Sequence, residues 1–358
     1  VDGSVDGSVD GSVDGSVDTI QHDLVDTLPV GFNRPLDNWN TSSVTNMSNM
    51  FENNKQFNQM INTKSVTIVS GTNEHTYDAW DVSNVTNMSR MFKNCHSFNQ
   101  SLDAWNTQNV TNMSGMFHSA IVFKKSLSGF DTMNVTNMSG MFENALVFDK
   151  SINNWNVQNV TNMSRMFQNS IYNHSLNNWN TSSVENMSNM FKDNKQFNQI
   201  INSWDVQNVT NMSGMFQNSI YNQHLNNWQT INVTDMSNMF KDNTKFDQPL
   251  NNYWTTTSVT NMSGMFENTV FNQELFNWKT DNVTNMSRMF KDNQQYNYPI
   301  SNWNVGTVIN MSEMFSGTIF NRNLSSWNVN LDLNATGMYK NGRIKNSFKH
   351  LGWDSSTS

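Results

Sequence analysis

The residues whose types could do chemistry are few and badly placed for it. Asp2, Asp6, Asp10 and Asp14 put one carboxylate in each of four Val-Asp-Gly-Ser tetrads. A Ca²⁺ ion wants roughly six to eight oxygens, and a spacing of four is not the calcium-loop pattern. Twenty-five Met could suggest a soft-metal path, but most recur in pairs beside Val and Phe, where flexible thioethers fill a core. Cys95 and His96 are adjacent in sequence, which does not make a nucleophile–base pair. The Cys95 slot is filled elsewhere by Asn54, Ala120, Ala145, Ser170, Asn194 and Ser219, so it reads as a small turn residue. His22, His75, His96, His118, His174, His224 and His350 share no repeat column and no ligand spacing. No nucleophile elbow, phosphate loop or paired carboxylates occur. The chain is therefore expected to be no enzyme, to need no cofactor and to hold no metal.

Composition narrows the class further. The 358 residues include 64 Asn and 12 Trp, and only 14% are charged. A net charge of −8 argues against a nucleic-acid partner, which would need clustered Lys and Arg. One Cys excludes a disulfide framework within the chain. No apolar run approaches the ~18 residues of a membrane span, and no signal-peptide pattern is present. Val1 in place of Met suggests a processed or excerpted chain.

The skew has its origin in a repeat. Val-Thr-Asn-Met-Ser-x-Met-Phe recurs from Val44 to Val308 at steps of about 25 residues, with a degenerate last copy at Met338-Tyr339. The first step is longer and places an insertion at 62–79. Within a copy, Val110, Met113, Met116 and Phe117 are spaced as one face of a helix. Trp105 followed two residues later by Thr107 reads as a short strand. The sequence thus predicts an α/β repeat over 29–340. About twelve strand–turn–helix units stack to share a core, with a parallel sheet on one face and short helices on the other. Trp105 and Trp155 are expected in that core. Asn99 and Asn173, in an Asn column that follows the aromatic, are expected to form a structural ladder. Residues 1–28 read as a low-complexity tether that a partner in an assembly could order over 1–18, and 341–358 as a C-terminal cap.

The pattern aromatic-Asn-x-x-Leu-x-x-Trp-x-x-x-x-Val-Thr-Asn-Met-Ser-x-Met-Phe resembles BspA-like leucine-rich repeats. It is similar to the ~25-residue repeats of Mycoplasma lipoproteins, bacterial surface proteins, some protists and some large DNA viruses. The resemblance implies a leucine-rich-repeat-like solenoid, an extracellular, cell-surface or virion-surface setting, and adhesion to a host protein or glycan. It brings no catalytic residues. The alternative reading is a structural component of a larger assembly, such as a surface layer or capsid. Recognition is expected on the outward strand face beside the Trp column. The richest patch is Tyr253, Phe276, Asn277 and Lys279, where aromatics and a cation break a monotonous Asn pattern. Sequons such as Asn84, Asn87, Asn109 and Asn112 read as by-products of the repeat.

Overall fold

The computed structural model describes residue 28, residues 31–250 and residues 253–342. The expected tether and cap lie, apart from residues 28, 341 and 342, outside the described residues, as does the expected ordering of 1–18. Between them the chain winds into twelve coils. The Asn two residues after each repeat Val (Asp235 in one coil) pairs in parallel with its counterpart in the next, from Asn46 through Asn87 and Asn112 to Asn334.

Among the described residues there is no α-helix and no parallel sheet of full strands. The two strands are antiparallel, β1 (Lys64–Ser70) and β2 (Asn73–Ala79). They form a hairpin whose two-residue loop uses Gly71 at φ 65°. The expected helix-and-sheet solenoid is therefore overturned, and the reason lies in the backbone. The fifth and ninth residues after each repeat Val have positive φ, for example Gly115 at 61° and Ser119 at 56°. A left-handed residue every four positions forbids the continuous i→i−4 ladder of a helix. Backbone donors instead alternate. Met116 and His118 donate to the carbonyls three residues back, Met113 and Gly115. Met113, Gly115, Phe117 and Ser119 donate across to Asn137, Ser139, Met141 and Glu143 of the next coil. Three-residue turns put Val110, Met113 and Met116 on one inward line, which imitates helical spacing. Glycine recurs at the fifth position because it takes φ > 0 without strain.

The expected strand at Leu102–Thr107 also fails to form, although Trp105 and Thr107 point inward and Asn106 outward. Side chains replace the backbone ladder there. Trp105 Nε1 donates to the Ile61 carbonyl at 2.8 Å, and Thr107 Oγ1 donates to the Asp131 carbonyl at 2.9 Å.

The core is made of columns. Trp39, Trp80, Trp105, Phe130 and Trp155 stack in sequence with ring centroids 6.2–6.5 Å apart. Phe51, Phe92, Phe117, Phe142 and Phe167 form a second stack at 5.5–5.9 Å. Every repeat Val and Met in these columns is buried. In the third aromatic column, Tyr221 and Tyr296 stand where most coils have Phe. Their hydroxyls are buried without a hydrogen-bond partner, and burial pushes both phenols well above the ordinary range. An unpaired buried hydroxyl costs roughly 1–3 kcal/mol. Tyr221→Phe is accordingly expected to raise stability by about 1 kcal/mol, seen as a higher denaturant midpoint at constant m-value. A lower midpoint would mean that the hydroxyl is paired.

Candidate binding face

The side chains between coils form ladders, and these decide what each outward position can still offer. In the column after the aromatic, Asn58 Oδ1 accepts the Asn99 N–H at 2.9 Å, and Asn99 Oδ1 accepts the Lys124 N–H at 3.1 Å. Asn173 donates its N–H to Asp149 Oδ1 and accepts that of Asn198 at 3.1 Å. Trp155, which is 2% exposed, donates Nε1–H to the Leu127 carbonyl at 3.0 Å. Asn99, Asn173 and Trp155, like Trp105, hold coils together.

The outward residues after Trp, expected to stud a flat sheet, are turn residues instead. Asp81, Asn106, Asn156, Asn180 and Asp205 each accept the N–H two residues on through Oδ1. The sequon residues are engaged as well. Asn84 and Asn109 donate to the Ser42 and Ser83 carbonyls, while Asn87 and Asn112 accept the N–H groups of Ser89 and Ser114.

The predicted patch lies on one edge of two consecutive coils, whose Trp254 and Trp278 rings stack at 6.5 Å. Tyr253 is 59% exposed and Phe276 63% exposed, and Asn277 and Lys279 are exposed beside them. The Lys279 backbone is clamped: its N–H donates to Thr256 Oγ1 at 2.8 Å, and its carbonyl accepts the Thr256 hydroxyl at 2.6 Å. Its side chain enters no ion pair among the described residues. Two consecutive coils thus carry two exposed aromatics and a cation whose backbone, though not its side chain, is clamped.

The buried Asn194, Asn243 and Asn293 share the Cys95 slot, which the sequence marks only as that of a small turn residue. They are polar junctions. Cys95 itself donates to the Phe51 carbonyl at 2.9 Å, and burial pushes its thiol far up. No group of three or more His, Cys, Asp or Glu that could hold a metal occurs among the described residues. No helix there is long and apolar enough to cross a membrane.

Fold and face define a class: a repeat protein of stacked coils, joined turn to turn by amide, indole and hydroxyl ladders. The chain belongs to the DUF285 family, described as a Mycoplasma protein of unknown function, whose model matches residues 26–79, 68–175, 170–268 and 251–351. That match supports the Mycoplasma side of the resemblance and does not extend to leucine-rich repeats. No curated protein and no solved structure matches the chain.

Proposed function

We propose that this protein is a non-enzymatic binding protein, displayed at a cell or virion surface, that contacts a host protein or glycan through the Tyr253–Phe276 edge. The observation that carries this reading is the exposure of two large aromatics on consecutive coils, Tyr253 immediately before the buried Trp254 and Phe276 two residues before the buried Trp278. A core position would have absorbed them, and a merely solvated edge has no use for them, whereas aromatics are common binding anchors. The motif-level resemblance to BspA-like surface repeats supports the same setting.

The test is a Phe276→Ala, Lys279→Ala double variant assayed on glycan arrays and immobilised host-surface extracts. Binding is expected to fall at least tenfold while thermal unfolding is unchanged. Arg165→Glu serves as the control on another face. Its position has φ 58° and is filled by Glu313 in a later coil, so the fold accepts the change. Loss of binding in Arg165→Glu with none in the double variant would reject this edge.

A further inference from the structure

A second surface lies on other coils and has a different chemistry. Thr161, Ser183, Glu185, Asn208, Thr210 and Asn232 line an open groove of about 590 Å³ that crosses four consecutive coils. It runs between the residues immediately before and immediately after the repeat Val.

Several donors of this groove are already committed to the fold. Asn208 Nδ2 donates to the Ser182 carbonyl at 2.7 Å, and Asn232 Nδ2 to the Gln207 carbonyl at 2.8 Å. A carbonyl only accepts, so the amide nitrogen must lie at that end and Oδ1 must face away. Thr161 and Thr210 likewise donate their hydroxyls to the carbonyls of Thr136 and Glu185 in the preceding coils. Each Asn amide keeps one further N–H and Ser183 its hydroxyl, but the acceptor oxygens of the groove outnumber these free donor hydrogens.

Glu185 adds charge to this arrangement. It stands in a column that holds Thr in the neighbouring coils, at Thr161 and Thr210. Its carboxylate is exposed and enters no ion pair among the described residues. Beside it, Ser183 fills a slot held by the longer Asn159 and Asn208 in the flanking coils, which opens the space. A carboxylate among an excess of acceptor oxygens repels anions and favours a ligand rich in N–H donors over a neutral hydroxyl. A metal ion would need several converging anionic ligands, which are absent among the described residues. A charged nitrogen with several N–H donors fits all of these conditions.

We propose that this groove binds an ammonium or guanidinium group, with Glu185 as its counter-charge and the Thr and Asn oxygens as its acceptors. Three inter-coil steps of roughly 4.8 Å span about 14 Å, the reach of about four residues of extended chain. A free polyamine or the Lys and Arg side chains of an extended polypeptide would each supply the group.

Calorimetric titration of the full chain with spermine, a hexalysine peptide and a hexaglutamate peptide tests the proposal. Both cations are expected to bind and hexaglutamate is not. Glu185→Thr restores the residue of the neighbouring coils and should weaken cation binding at least tenfold without moving the thermal midpoint. Glu185→Gln should act in the same direction. The Phe276→Ala, Lys279→Ala variant should leave cation binding intact, so this site and the aromatic edge succeed or fail separately. Preference for spermine would identify a free amine as the ligand, and preference for hexalysine a polypeptide. Equal cation binding by wild type and Glu185→Thr would overturn the proposal in favour of diffuse attraction to a negative chain. So would failure of both cations to bind.

Discussion

Trp155→Ala is expected to destabilise the protein by roughly 3–5 kcal/mol, the range for truncating a buried aromatic. Trp155 stacks on Phe130 at 6.4 Å and packs on Phe142 at 6.2 Å, so its removal opens two columns at once. It also leaves the Leu127 carbonyl without its indole donor. The neighbouring Asn156 is exposed and contributes one turn bond, to the Gln158 N–H at 3.1 Å. Asn156→Ala should therefore cost only about 0.5–1 kcal/mol. Chemical denaturation of both variants checks the pair, and similar losses would contradict the inward placement of the Trp column.

The second large effect is expected at Asn194, which is fully buried. Its Nδ2 donates to Ser170 Oγ at 3.3 Å and to the Tyr172 carbonyl at 3.1 Å. Its Oδ1 accepts the N–H groups of Gln196 and Phe197, both at 2.8 Å. Asn194→Ala removes four bonds and strands buried backbone groups, for an expected loss of roughly 3 kcal/mol. Asn194→Asp keeps the two acceptor bonds but brings a carboxylate to the Tyr172 carbonyl, and should be at least as harmful. A loss below about 1 kcal/mol for the Ala variant, measured by equilibrium denaturation, would show that water or a backbone shift replaces these bonds.

Much of the inward-facing set is legible in the sequence, because Trp, Val, Met and Phe recur at fixed places and no outward position could use so many. The backbone that carries them is not legible from spacing alone. Val110, Met113, Met116 and Phe117 fit a helix as well as they fit three-residue turns. The discriminating signal was the residue before the second Met. Gly115, Gly140, Gly214 and Gly264 occupy it, Asn49, Asn189 and Asn238 fill it in three further coils and Arg90, Arg165, Arg288 and Glu313 in the rest, and all have positive φ. Gly and Asn recurring at one slot inside a supposed helix argue for left-handed backbone. The strand was misread for a related reason. Trp105 and Thr107 alternate as strand residues do, but their own polar atoms bridge the coils and displace the ladder. The acceptor groove is legible in one letter, Val184-Glu185 where nine other copies have Val-Thr and one has Val308-Ile309. Its meaning is not, because it depends on which ends of Asn208 and Asn232 the neighbouring carbonyls claim.

The bond from Asn194 to Ser170 recurs from Asn243 to Ser219 and from Asn293 to Thr269. Amide and hydroxyl coils therefore alternate through this half of the protein. Losing the single coil of Ser219 would seat Asn243 behind Asn194, whose Oδ1 already holds two backbone N–H groups. One amide hydrogen would then be buried with nothing to receive it. Losing two coils would leave the pairing intact. In this half of the gene, recombination that brings two amide coils together should be selected against, so length variants are expected to keep a hydroxyl coil before every amide coil.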